Sequence, residues 1–95
     1  MITIRGKIWK YPGFGSWHFV TIGKVVSGRI KKLIIKRPPG FGSIYVKAII
    51  GATEWKTSIF PTKEKTFLLA IKARVRKMEK INEGDTVTIH VTLVV

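Results

Sequence analysis

The strongest constraint on this chain is the period of its apolar residues, which over most of its length is two rather than 3.6. Successive side chains point to opposite faces of a strand, so such a run buries one face and leaves the other to water. ITIRGKIW at 2–9 sets Ile2, Ile4 and Ile8 on one face, with Arg5, Lys7 and Trp9 toward the other. TVTIHVTLVV at 86–95 repeats the pattern with Val87, Ile89, Val91 and Leu93 against Thr86, Thr88, His90 and Thr92. WHFVTI at 17–22, SIYVKAII at 43–50, TEWKTSIF at 53–60 and TFLLAI at 66–71 are further β-prone runs. Turn formers separate them: PGFGS at 12–16, RPPGFGS at 37–43, Gly51-Ala52, Pro61 and Asn82 to Asp85. Pro38 and Pro39 lack donors and fix their φ angles, so neither helix nor central strand runs through them. The segments 43–50 and 53–60 flank Gly51 as an antiparallel hairpin.

Two segments carry a helical period instead. From Lys24 onward, Val26, Ile30 and Leu33 recur with Arg29, Lys31 and Lys32 between them, which predicts a short helix despite Gly28. Ile71, Val75 and Met78 are spaced as one helical face, with Lys72, Arg74, Arg76, Lys77 and Lys80 on the remaining surface. FVTIGKVVSGRI at 19–30 and FLLAIKARVRKM at 67–78 thus echo one another, each a β run entering a basic helix, and one reading of this echo is a pseudo-symmetric barrel. The PGFGS of 12–16 and 39–43 is a second echo at a different offset, so both cannot mark one duplication. A chain of 95 residues suits one domain, and two would each be near the size where a core needs staples. Cysteine is absent, which removes disulfides, thiolate ligands and cysteine nucleophiles together.

The charge is one-sided. Eighteen Lys and Arg face five Asp and Glu, a formal +13, and ten basic residues precede the first acidic one, Glu54. Ion-pair networks need both signs, so this excess is either tolerated as self-repulsion or relieved by a polyanion. A membrane-surface helix would be long and one-sided. Here the pattern is β and dispersed, no run approaches the ~20 apolar residues of a membrane span, and the opening MITIRGKIWK is strand-like rather than a leader. The expectation is a soluble cytoplasmic protein with no membrane partner.

Catalytic groups are sparse. Asp85 is the only aspartate and sits in a Gly-Asp turn, where it bonds local amides. The glutamates are scattered among lysines, and Ser16, Ser27, Ser43 and Ser58 have no nucleophile-elbow context. His18 and His90 would meet only if the second and last strands were neighbours, and no cysteine or carboxylate at motif spacing completes a metal site. No cofactor, metal or catalytic residue is expected. The glycine loops lack the Gly-Lys-Ser/Thr of a phosphate-binding loop and the spacing of a dinucleotide site. Phe14 and Phe41 have two readings, stacking surfaces beside basic residues or rings folded back over the barrel ends. Arg29, Lys31, Lys32, Lys36 and Arg37, with Lys72, Arg74, Arg76, Lys77 and Lys80, are the candidates for phosphate contact. Their other reading is a solvated face that keeps the protein soluble.

GFGSIYVKAIIGATEWKTSIFP, followed by FLLAIKARVRKMEKINEGDTVTIHVTLV, resembles the family of small proteins called domain of unknown function 1905. The most specific positions are Gly51, Trp55, Thr57, Ser58 and Pro61, then Lys72, Val75, Arg76, Gly84 and Asp85. The resemblance implies a mainly β fold, a small double-split β-barrel of six or seven strands with one or two short capping helices. That barrel is similar to the one built by dimers of AbrB and MazE type DNA-binding regulators. It implies no biochemical activity.

The reading ranked first is nonspecific binding of DNA or RNA through phosphate contacts. The second is a structural or interaction module whose basic surface meets an acidic protein, marked by an exposed apolar patch beside the charge. A small-ligand site or enzyme comes third, either a polar cleft at Lys56, Ser58 and Arg76 or a pocket gathering a histidine with Glu54.

Overall fold

The alternating runs form the staves of a barrel. A computed structural model describes residues 1–33 and 43–94, without the side chain of Phe14. The order is β1 (Ile2–Lys10), a 3₁₀ turn (Phe14–Ser16), β2 (His18–Ile22), α1 (Lys24–Leu33), β3 (Ile44–Ile50), β4 (Thr53–Pro61), β5 (Phe67–Ala70), α2 (Ala73–Glu79) and β6 (Thr86–Leu93). The strands close in the ring β1-β2-β5-β4-β3-β6, and every pairing is antiparallel. Closure leaves no free sheet edge, and the result is the small mainly β barrel with two short helices that the family resemblance implies.

Exchanging β1, β2 and β3 for β4, β5 and β6 maps this ring onto itself. Each half is therefore a β-β-α-β unit, and two of the pairings between the halves, the seams β2 with β5 and β3 with β6, join equivalent strands. The echo between 19–30 and 67–78 is this symmetry: Phe19–Ile22 shifted by 48 positions becomes Phe67–Ala70, the strand it pairs with. The PGFGS echo has no such meaning, because its first copy precedes β2 and its second precedes β3, which are not equivalent strands.

β1 and β4 are the split strands. Ile2–Lys7 pair with β6 while Ile8–Lys10 pair with β2, and β4 passes from β3 to β5 at Ile59. Gly6 lies just before the change of partner in β1, at an inward position where a Cβ would sit 2.9 Å from Val20 Cγ1. A side chain there would keep the two strands apart at the corner. Inward residues of all six strands make one core, including Ile4, Ile8, Val20, Val46, Ile59, Leu69, Ile89 and Val91, with Trp55 among them. Two buried hydroxyls tie the seams to the helices and turns. Ser27 of α1 donates to the Ile22 carbonyl (2.9 Å) and accepts from the Phe67 amide (3.1 Å), and Thr57 donates to the Ala70 carbonyl (2.8 Å). Asp85 accepts from the Asn82 amide (2.7 Å), the local turn role expected of it.

Both helices differ from expectation in the face they bury. α1 buries Ser27 and Ile30 and leaves Leu33 exposed. In the second helical segment Ile71 is buried but precedes the helix, and Met78 is 60% exposed. The reason is length: α2 has seven residues and ends at Lys80 in the left-handed region. Val75 fills the core contact, and one turn later it is Glu79, not Met78, that faces the barrel, where it accepts from the Thr53 hydroxyl (2.5 Å).

Candidate functional site

Outward positions of a closed barrel need only tolerate water, yet on one side they carry rings. Trp9 and Phe19 are register partners on β1 and β2, and Phe60 lies opposite Leu68 on β4 and β5. Phe19 is the hub, with ring centroids at 5.2 Å from Trp9, 5.9 Å from Trp17, and 6.4 Å from both Tyr11 and Phe60. These neighbours reduce its exposure to 9%, although it points away from the core. Trp9 is fixed by its indole N–H, which donates to Thr21 Oγ1 (3.0 Å). Trp17 and Tyr11 remain half exposed, and Tyr45 on β3 is more exposed still.

The PGFGS turn is what sets Trp17. The Tyr11 amide donates to the Trp17 carbonyl (2.8 Å), closing the β1–β2 connection. Gly15 takes φ +85°, and a Cβ there would lie 3.0 Å from Trp17 Nε1. Glycine is needed for the backbone angle and for the approach of the indole. The indole then lies nearly parallel to Phe19, at 8°.

Three shallow depressions meet at Trp17. The largest, about 350 Å³, has Tyr45, Phe60, Lys56, Ser58 and Lys72 on its other walls. The second, about 280 Å³, is walled by Tyr11, Phe19, Phe60 and Leu68 and is almost wholly apolar. The third, about 260 Å³, has Ser16, His18, Lys72 and Arg76. Among the described residues no aspartate or glutamate lines any of them. In the third, the His18 Nδ1–H donates to the Ser16 carbonyl (2.7 Å), leaving Nε2 to accept from Arg76 Nη1 (3.3 Å). The half-buried Arg76 also holds its Nε sheltered with no partner among the described residues. Next to the first depression, Lys47 lies directly across the strand pair from Lys56, and like charges so placed repel.

The sequence candidates divide. β2 and β5 are antiparallel, so the helices that follow them leave at opposite ends of the barrel. Arg29, Lys31 and Lys32 on α1 are therefore at one end, and Lys72, Arg74, Arg76, Lys77 and Lys80 at the other. They do not form one face. Lys56, Ser58 and Arg76 come near one another, the first two in one depression and Arg76 in the next, with Trp17, Ala70 and Lys72 shared. Lys36, Arg37, Phe41 and the Phe14 side chain lie outside the described residues. His18 and His90 do not meet, because β1 stands between their strands; His90 contacts Thr3 instead (3.1 Å). Glu54 is not in the depression that holds His18. Among the described residues no group of three or more His, Cys, Asp or Glu is placed to hold a metal, and no helix is long and apolar enough to cross a membrane.

The aromatic cluster is the feature that sequence reading misses. Its signal is parity: Trp9 shares the outward phase of Arg5 and Lys7, and Phe19 shares that of Thr21. Large rings at outward phase on two strands joined by a short turn are what such a reading would seek. No curated protein matches this chain. Residues 5–91, nearly the whole barrel from within β1 to within β6, match the family described as Domain of unknown function (DUF1905), and the chain belongs to that family.

Proposed function

We propose that this protein binds nucleic acid with little sequence preference, and that its contact face is the aromatic wall around Trp17 with the adjoining start of α2, rather than the basic clusters of both helices together. The observation that carries this reading is the union of exposed rings with Lys56, Lys72 and Arg76 in depressions that contain no carboxylate. Basic side chains supply affinity by displacing counterions from phosphates. Rings supply a surface on which any base can stack, which is the combination used by single-strand binders. The facing pair Lys47 and Lys56 adds support, since its repulsion is relieved by an anion. The split of the helical clusters between opposite ends weighs against docking of both on one straight duplex.

The test is fluorescence anisotropy with single-stranded DNA, duplex DNA and RNA of one length across a salt series. Single strands should bind more tightly than duplex, with log affinity falling linearly in log salt by roughly 0.7 per phosphate neutralised. No binding to any probe at ~0.15 M salt and protein up to roughly 100 μM, weaker than ordinary nonspecific association, overturns the proposal. That outcome would favour the second reading, an acidic protein partner. The nearly wholly apolar depression between Tyr11, Trp17, Phe19, Phe60 and Leu68 beside the cations is the observation that supports it.

A further inference from the structure

We infer that Trp17 with Lys72 and Arg76 forms a one-nucleotide subsite, with a base against the indole and its adjoining phosphate against the two cations, so that the site selects single strands over duplex. The inference rests on the nucleic-acid reading above and names the part of the face that does the selecting.

Among the described residues, Trp17 is the one side chain common to all three depressions. Its stack on Phe19, at 5.9 Å and 8°, occupies one face of the indole. With half of the residue exposed, the opposite face is available to a flat apolar partner. A base in a single strand offers such a face, whereas a base inside a duplex has both faces covered by its neighbours. The polarity of the surroundings then orients the ligand. On one side of the indole the wall is apolar, with Tyr11, Phe60 and Leu68. On the other it is cationic, with Lys72 and Arg76.

Arg76 is suited to hold charge at a fixed place. His18 accepts from Nη1 and is itself anchored on the Ser16 carbonyl, the residue before Trp17. The cation and the stacking ring are thereby positioned by one turn. A partly buried guanidinium that, among the described residues, lacks a partner at Nε and has no carboxylate in its depression is short of compensation, and an anion in the adjoining depression lowers its energy. Lys72 precedes α2 and is shared by the first and third depressions, so its ammonium serves the same anion from the other side.

The experiment measures binding of oligo-thymidylate and of a duplex of equal length to the full chain and to three variants. Trp17→Ala should weaken the single strand about tenfold, the order of one lost base–aromatic stack, with the duplex affinity and the salt slope unchanged because no charge is removed. Trp17→Phe should recover most of the loss. Lys72→Gln should make the single-strand salt slope shallower by roughly 0.7, one phosphate contact. If the parent binds but Trp17→Ala stays within twofold on the single strand, or loses duplex equally, the stacking subsite is overturned while the broader reading stands. An unchanged slope for Lys72→Gln overturns the phosphate half. If the parent binds neither probe, the broader reading has failed, and the subsite with it.

Discussion

The two seams of this barrel are alike inside and unlike outside. Along β2 and β5 the inward residues are Val20, Ile22, Phe67 and Leu69; along β3 and β6 they include Val46, Ala48, Ile89 and Val91. Each set draws on both β-β-α-β halves. Outward, the first seam shows Phe19, Leu68 and Ala70 beneath Trp9, Trp17 and Phe60, whereas the second shows Tyr45, Lys47 and Ile49 on β3 with His90 and Thr92 on β6, and Thr86 and Thr88 continue β6 against β1. Threonine favours strands and accepts water, which is all that an outward position asks. Closing the barrel therefore does not require rings on its outside. A cluster of rings centred on Phe19 at one seam, against Tyr45 and His90 at the other, points to a demand other than folding, and variants on the two seams can separate the two demands.

The largest effect should come from the hub of the aromatic side. Phe19→Ala removes a ring that four others touch and that is nearly buried despite its outward phase. A loss of about 3 kcal/mol is expected, the low end for a large aromatic truncation, because part of the space opens to water. Urea unfolding monitored by circular dichroism measures it. A loss below about 1 kcal/mol would mean that the cluster contributes little to stability and is more purely a binding surface than its packing suggests.

Next in size is the turn that presents Trp17. Gly15→Ala places a side chain at φ +85° and a Cβ against the indole. The left-handed backbone costs roughly 1–2 kcal/mol, and the indole must move off its present position. Stability and single-strand affinity should fall together, with the exposed tryptophan's emission shifted. Reduced stability with unchanged affinity would show that Trp17 reaches its ligand from a mobile arrangement and does not depend on the turn.

The contrast between the seams also explains what could be read from sequence. Inward phases were legible because Ile2, Ile4 and Ile8, or Val87, Ile89 and Val91, betray a one-sided strand without knowledge of its neighbours. The helix echo gave the pseudo-symmetry for the same reason, since a strand entering a basic helix is a local pattern. The aromatic wall is not local. Trp9, Trp17 and Phe60 come together only through the register of β1 on β2 and the passage of β4 onto β5. Met78 misled because helical spacing is defined even where the helix is too short to use it. The placement of the basic residues of the two helices is not local either: charge counts add along a sequence, but the antiparallel seam sends the two helices to opposite ends.

A smaller effect, of opposite sign for stability and binding, is expected where the two sides adjoin. Lys47 on β3 has Lys56 across one edge and Thr92 across the other. Lys47→Glu converts a repelling cross-strand pair into an attracting one and should stabilise the fold by a few tenths to about 1 kcal/mol at low salt, less as salt screens the pair. The same change should weaken single-strand binding, because Lys56 then has a carboxylate as its partner. Stabilisation accompanied by unchanged affinity would remove Lys56 from the contact face and confine it to Trp17, Lys72 and Arg76.

The smallest effect is expected on the threonine side, and for that reason it is the sharpest control. Thr88 is exposed on β6 and lies opposite Arg5, far around the barrel from the β2–β5 seam. Thr88→Val keeps the β-branched shape and the strand preference while removing a hydroxyl that faces water. Stability should stay within about 0.5 kcal/mol, as for surface changes that touch no special feature, and affinity for single strands should not change. A clear loss of binding would place the ligand across β6 and β1, where Arg5 and Lys7 stand in line with outward threonines. The comparison would then invert, with the aromatic wall left as packing and the threonine side as the working face.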